Sequence, residues 1–149
     1  MTDTVQQKII DGVVEALQGI TGLTGGVSHS RQEPFSKQET PAINVYALND
    51  SPQQQTLDYL LWQLLLRVVI VVRGREPDTI ANQFRQEVHS RIVALMAHDA
   101  FDTPGLVQYV FPSNVQFDMA GGGDGDMGAV SCDFIFQYRT AYDDLTVVG

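Results

Sequence analysis

The sequence predicts a single α+β domain in which two main helices pack on a largely antiparallel or mixed β-sheet. Apolar residues recur at helical spacing in two segments, whereas other segments alternate apolar and polar residues with the period of two that strands require. Helices and strands follow one another without regular β-α-β alternation. The 149 residues, of which 44% are hydrophobic, suffice for one core, so we expect one domain spanning residues 1–149.

The first predicted helix runs from about Thr4 to Leu17. Thr4 followed by Gln7 has the form of a capping box at its start. The apolar stripe of this helix consists of Val5, Ile9, Val13, Leu17 and Ile20. The glycines of residues 19–26 then predict a turn, after which "GVSHSR" is typical of a short strand and "QEPFSKQETP" of a long polar loop.

Two further strands are predicted in the middle of the chain. In "PAINVYAL", residues 41–48, apolar and polar residues alternate as a half-buried strand requires, and "NDSPQQQ" is predicted to be a turn or loop. Leu60–Arg73 is apolar on both faces, which predicts a central strand that is covered on both sides. Arg67 within it would then be partly buried and would need an acidic or interfacial partner.

The second predicted helix begins at Pro77, a residue suited to a first helical turn, and ends near His98. Asp78 complements the positive end of its dipole. Its apolar stripe consists of Ile80, Phe84, Val88, Ile92 and Leu95. The alternating runs "NVQFDM" and "AVSCDFIFQY" then predict an antiparallel hairpin. The inward face of its second strand would hold Val130, Cys132, Phe134, Phe136 and Tyr138.

The tip of this hairpin contains "GDGDMG", residues 123–128, which matches the G-x-G-x-x-G spacing of dinucleotide-binding loops. That motif works only where the glycines follow a strand and open a helix, and here a strand follows them. Asp124 and Asp126 would also repel the phosphates of a nucleotide. We favour a hairpin loop, since Gly and Asp readily adopt the positive φ angles that turns require.

A calcium site is the competing interpretation of the same loop, because Asp124 and Asp126 supply closely spaced carboxylates. Counted from Asp124, the twelfth position of an EF-hand loop would be Ile135, where a Glu is needed. In the calcium-binding nonapeptide, Met127 stands where an Asp belongs, and those motifs act in tandem arrays. A weak divalent site between subunits, within Gly121–Gly128, stays open on these grounds.

No catalytic constellation is evident along the chain. Among the histidines His29, His89 and His98, His89 has no His or Glu at metal-ligand spacing and is interpreted as a surface helix residue. No serine lies in G-x-S-x-G, and Cys132 is predicted to be a small core residue. The sequence therefore favours binding over catalysis.

The balance of charge narrows the classes of partner. Lys and Arg number 9 against 18 Asp and Glu, for a net charge of -9, which disfavours binding to nucleic acid or anionic lipid.

The single cysteine excludes an intramolecular disulfide and fits a reducing, intracellular compartment. The apolar run Leu60–Val72 is shorter than the ~20 residues of a membrane span, and the N-terminus lacks a signal-peptide pattern. We therefore expect neither secretion nor membrane insertion.

Several segments, in this order along the chain, resemble those of a known protein family. They are the N-terminal helix, "SRQEP" before "PAINVY", the strand "LLLRVVIVVRG" followed by a helix after Pro77, and the closing "FIFQYRTAYDDL". This set, which extends over nearly the whole chain, resembles the tail terminator proteins of long-tailed bacteriophages, also called minor tail or tail completion proteins. The extended "AGGGDGDMG" hairpin tip departs from the simple family pattern.

The resemblance implies a virion structural protein that is assembled in the host cytoplasm and has no enzyme activity and no cofactor. Members of that family form a hexameric ring on the end of the tail tube, stop its polymerisation and present a surface to the connector or neck protein of the head. The resemblance implies a channel through which DNA passes without specific binding, which an acidic composition favours. The candidate residues of a subunit or partner interface are Arg67, Arg73, Asp124, Asp126, Arg139 and Tyr142.

Two alternatives stay open at this point. One is another phage neck or tail-tube protein, which a tube-like polymer would favour. The other is a small intracellular ligand-binding domain or enzyme that uses a cleft beside the central strand. Monomeric behaviour with tight binding of a small molecule would favour the second.

Overall fold

The computed structural model describes residues 2–119 and 127–149. The elements in chain order are α1 (Val5–Gln18), β1 (Gly26–His29), β2 (Ala42–Gln55), β3 (Tyr59–Arg73), α2 (Pro77–Val93), β4 (Tyr109–Met119) and β5 (Met127–Ala141). Two short 3-10 turns, Lys37–Glu39 and Ala94–Met96, accompany them. This is the predicted α+β class, with two main helices and one five-stranded sheet.

The sheet has the strand order β1-β2-β3-β5-β4. β1 pairs with β2 in parallel, and the three other pairings are antiparallel, so the sheet is mixed. β3 lies at its centre, as the apolar run of the sequence predicts. The predicted hairpin is confirmed as the β4–β5 pair, whose tip, residues 120–126, lies outside the described residues.

The hydrophobic core lies between the two helices and one face of the sheet. Both predicted helical stripes contribute to it, through residues such as Val13 on α1 and Val88 on α2. The sheet contributes alternate residues of each strand, and every residue predicted for the inward face of β5 is buried. In β3 the buried positions are Leu64, Leu66, Val68, Ile70 and Val72.

The other face of the sheet, which we call the open face, carries the intervening residues of β2, β3 and β5. In β3, Leu65, Val69 and Val71 are only half-buried there. The prediction that both sides of this strand are covered is therefore wrong for the single chain. Both helices form one core with the inward residues. Among the described residues, therefore, helices cover only that face of the sheet, and the helices do not account for the apolar character of the open face.

The sequence predicts a turn or loop at "NDSPQQQ", and this prediction is wrong. β2 continues through it to Gln55 in antiparallel pairing with β3. Two irregularities in the pairing, after Ala47 and after Pro52, accommodate the residues that suit a strand poorly. The chain reverses at Thr56, whose hydroxyl accepts hydrogen bonds of 3.1 Å from the backbone N–H groups of Asp58 and Tyr59.

The start of α1 matches the predicted cap in part. The Thr4 hydroxyl accepts a 3.1 Å hydrogen bond from the Gln7 backbone N–H, as an N-cap requires. The Gln7 side chain donates instead to Asp11, so the reciprocal half of the capping box is not made. The Val5 N–H donates to the Leu145 carbonyl at 2.9 Å, which joins the C-terminal segment to the first turn of the helix.

Candidate interaction surface on the open face

A row of polar side chains crosses the middle of the open face. Arg67 on β3 lies opposite Asp133 on β5 and opposite Tyr46 on β2. Its guanidinium donates hydrogen bonds of 2.8 and 3.0 Å to the two carboxylate oxygens of Asp133. These bonds, with a smaller contribution from Tyr46, raise the pKa of Arg67 further above its ordinary value. Arg67 thus has the acidic partner that its sequence context predicts.

The remaining predicted interface residues do not gather into one cluster. Arg139 shares the open face with Arg67, and its guanidinium lies 4.2 Å from the centre of the Tyr59 ring. Arg73 ends β3 on the same face, roughly 20 Å from Arg67 at strand spacing, and is exposed. Tyr142 follows β5 and is also exposed. The other two predicted residues, Asp124 and Asp126, lie outside the described residues.

A groove of about 650 Å³ lies on the open face, between the sheet and the loop that follows β1. Phe35 from the loop and Val69 and Val71 from β3 supply apolar lining, and Arg31 and Tyr46 supply polar lining. The sequence suggested a cleft beside the central strand only in general terms and did not predict this lining, because the path of the polar loop over the sheet depends on tertiary contacts. Asn44, a polar residue inside an apolar strand, was the one local signal.

Contacts within the loop hold the groove wall in place. The Asn44 side chain accepts from the Arg31 N–H at 3.0 Å and donates to the Arg31 carbonyl at 3.1 Å, which mimics a strand pairing. The Arg31 guanidinium lies 2.8 Å from Glu39 and 4.2 Å from the centre of the Phe35 ring. The bond from Arg31, followed by those from Ser36, lowers the pKa of Glu39 to about 2. A wall fixed in this way loses little entropy when a partner binds.

A second cavity, of about 700 Å³, lies on the helical side of the molecule between α1, α2 and residues 100–106. Arg91 lines it and donates hydrogen bonds of 3.2 Å to the carbonyls of Ala16 and Gly19, which satisfies the C-terminal end of α1. Lys8, Glu15 and Asp102 add charges of both signs. Among the described residues, the lining of this cavity contains no serine, cysteine or histidine.

A half-buried polar cluster lies beside α1, at the opposite end of the sheet from the groove. The Tyr138 hydroxyl donates to Asp50, and the Gln6 amide donates to the same carboxylate oxygen at 3.1 Å. The second oxygen of Asp50 is buried and has no hydrogen-bond partner among the described residues. Desolvation raises the pKa of Asp50, although the two hydrogen bonds oppose the change. The cluster lies at the margin of the core, which Tyr138 joins, and the sequence does not predict it.

Among the described residues, neither the single cysteine nor any group of acidic, cysteine or histidine side chains forms a reactive or metal-binding site. Cys132 is buried, and burial raises the pKa of its thiol to about 11, so the thiol stays protonated at neutral pH. It is the small core residue that the sequence predicts. Within residues 2–119 and 127–149, no three His, Cys, Asp or Glu side chains are grouped to hold a metal ion. Over the same ranges, no helix is long and apolar enough to cross a membrane.

Comparison with known proteins reveals a likeness of fold. No family model matches the chain, and no curated protein matches it. Among solved structures it is similar to a chain in the virion of a native gene transfer agent particle, with a TM-score of 0.52, 8% identity, and coverage of 89% of this chain and 96% of that one. The protein has the fold of that virion chain. A second solved structure, with a TM-score of 0.44 and 12% identity over 90% of this chain and 94% of its own, is too distant to support an argument.

Proposed function

We propose that this protein is a structural protein of a phage-like virion that acts as a tail terminator. In this role, copies form a ring, of six in the family that the sequence resembles, at the head-proximal end of the tail tube. The ring ends polymerisation of the tube and presents the surface for head joining. The observation that carries the proposal is the likeness of fold to a gene transfer agent virion chain, a phage-like particle, over nearly the full length of both chains.

The open face supports the idea of assembly. One layer of helices leaves half-buried apolar residues, among them Leu65, Val69 and Ile135, on the opposite side of a central sheet. Tyr109, which lies opposite Gln137, adds exposed apolar surface at the β4 side of that face, and Leu57 and Phe117 add it elsewhere. Apolar surface of this kind marks a site of contact with another chain. Copies related by rotation would cover it, and contacts between unlike surfaces close into a ring when the rotation closes.

The charge supports a passive channel. A ring of chains that each carry a net charge of -9 repels DNA phosphates, so a genome could pass without being held. We propose accordingly that the protein has no enzyme activity and needs no cofactor, and that its partners are the tail tube protein and a connector or neck protein. The virion is then its location, after assembly in the host cytoplasm.

Electron microscopy and light scattering of the purified protein, alone and with tail tubes, test this function. We expect rings of uniform diameter with a central channel, and rings attached to one end of each tube. Ile135→Lys, which places a charge on the open face, should abolish the rings, whereas Gln86→Lys, which changes an exposed position of α2, should preserve them. Long polymers of the protein alone would indicate a tube protein. A monomer that also fails to bind tubes would contradict the proposal.

A further inference from the structure

The turn between β2 and β3, which we call the β2–β3 tip, presents an apolar side chain to solvent. Leu57 is 96% exposed, more than any other large hydrophobic residue among those described. Asp58 beside it is exposed as well. The turn itself is closed, because the Thr56 N–H donates to the Tyr59 carbonyl at 2.9 Å and the Thr56 hydroxyl accepts from both following N–H groups. An apolar side chain on an ordered, closed turn is suited to insertion into a pocket.

The groove on the open face has complementary chemistry. Its apolar lining, Phe35, Val69 and Val71, is flanked on β3 by Arg73, which lies two residues beyond Val71 on the same face. The Arg73 side chain is exposed and has no hydrogen bond or ion pair within residues 2–119 and 127–149. A leucine followed by an aspartate thus matches an apolar groove bordered by an exposed guanidinium.

The tip and the groove of one chain cannot meet. Leu57 precedes the first residue of β3, and Val71 lies near its last residue. Strand spacing puts them roughly 40 Å apart along a continuous hairpin. Any contact between them therefore joins two copies of the chain through different surfaces, and contacts of this type build rings or filaments.

The edges of the sheet argue against the other obvious mode of assembly, pairing of strands between copies. Beyond Val45, where the pairing with β1 ends, the outer edge of β2 has no partner strand among the described residues, but Pro52 and a pairing irregularity interrupt this edge. The outer edge of β4 is interrupted in the same way at Pro112. Proline and bulges are the devices by which sheet edges avoid pairing with another chain. Docking of a side chain is thus favoured over strand pairing as the contact between copies.

We propose that Leu57 of one copy inserts into the open-face groove of the next copy, with Asp58 facing Arg73. This inference rests on the proposed ring, for which it supplies the contact between neighbouring subunits. The buried leucine provides affinity, and the ion pair at the groove entrance provides orientation. Because the ion pair is at the margin of the contact, assembly weakens as salt rises.

Cysteine cross-linking detects the contact directly. Chains that carry Leu57→Cys are mixed with chains that carry Val71→Cys, and the mixture is oxidised. We expect a covalent dimer in the mixture and little in either variant alone, since the contact joins a tip to a groove; Cys132 is buried and stays unreactive. Leu57→Cys mixed with Gln86→Cys, on the exposed side of α2, is the matched control. A mixture that cross-links no better than this control overturns the inference.

Charge reversal provides a test that preserves the core. Asp58→Lys and Arg73→Asp each change one exposed side chain, and each should weaken association at least about tenfold, whereas the double variant should recover most of it. Circular dichroism confirms that each variant is folded. Failure of the double variant to associate better than either single variant contradicts the pairing of these two residues.

The outcomes separate this inference from the proposed function. Rings that form without the tip-to-groove cross-link overturn the inference and leave the ring in place. A cross-link in dimers or filaments, with no ring on any tube, preserves the inference and contradicts the terminator role. Absence of both cross-link and ring contradicts both.

Discussion

Arg67 and Asp133 face each other directly across β3 and β5, and the guanidinium of one donates two hydrogen bonds, of 2.8 and 3.0 Å, to the carboxylate of the other. The Asp133 side chain is 7% exposed and that of Arg67 is 28% exposed, so the carboxylate depends on this partner for its charge balance more than the guanidinium does. The pair lies on the half-buried face, where burial of a charge without a partner is costly.

Removal of one partner should therefore cost more than removal of both. Arg67→Leu leaves the Asp133 carboxylate without its cation, and we expect it to lower the free energy of unfolding by about 2 kcal/mol. Arg67→Leu combined with Asp133→Leu should recover at least half of that loss. Arg73→Leu, on the same strand and face but exposed, should change it by less than about 0.5 kcal/mol. Urea unfolding at one protein concentration measures all three, and a double variant less stable than Arg67→Leu would contradict the argument.

The half-buried carboxylate of Asp50 predicts a dependence of stability on pH. Its pKa is raised in the folded protein, mainly by desolvation, so the folded state holds this proton at pH values where the unfolded chain has lost it. Stability should consequently fall as pH rises from about 4 through the raised pKa. Asp50→Asn should remove this part of the slope. Asp58→Asn, which neutralises an exposed carboxylate near the end of the same hairpin, is the control, and equal slopes in the two variants would contradict the assignment.

Glu39 contributes to the pH dependence with the opposite sign, at lower pH. Its bond to Arg31 lowers its pKa from 4.5 to about 2, so the contact is fully present above 4.5 and is lost as pH falls towards 2. The groove wall should loosen in that range. Because the carboxylate is exposed, we expect a local change with little effect on global stability, detectable by hydrogen exchange of residues 31–40. Glu39→Gln should show the same loosening at pH 7.

A close approach of two backbone segments makes Gly25 sensitive to substitution. A Cβ at this position would lie 1.9 Å from the Glu39 carbonyl oxygen, and the Gly25 N–H donates to the Pro41 carbonyl at 3.0 Å. Gly25→Ala should force the segments apart and lower the free energy of unfolding by about 1–3 kcal/mol. Thr24→Ala, at the exposed neighbouring position, should cost less than about 0.5 kcal/mol. Denaturant unfolding of both variants measures the difference, and equal values would show that the segments separate freely.

The passive channel predicts negligible affinity for DNA. Few cations are available to release counterions from a duplex, so a labelled duplex should show no change in fluorescence anisotropy with micromolar protein at physiological salt. Supercoiled and linear DNA should behave alike. Micromolar affinity for DNA that falls steeply as the salt concentration rises would indicate a basic surface. It would contradict the passive channel and indicate a protein that binds the genome.

The sequence by itself determined the elements whose signal is local. The spacing of Val5, Ile9 and Val13 predicts α1 to within a residue at each end, because helical periodicity acts over neighbouring turns. The alternation of residues 129–138 likewise identifies β5 and its inward face, since successive side chains of a strand point to opposite sides. The α+β class follows from the order of these elements.

The tertiary structure decided which segments meet. "NDSPQQQ" has the composition of a turn, yet pairing with β3 and two irregularities in that pairing make it a strand. The partner of Arg67 lies 66 residues away, and the strand register alone brings Asp133 opposite it. The helices cover one face of β3, and the loop after β1 builds a groove on the other. Composition and periodicity act along a few residues of chain, whereas register, layering and the path of a loop depend on contacts between distant segments.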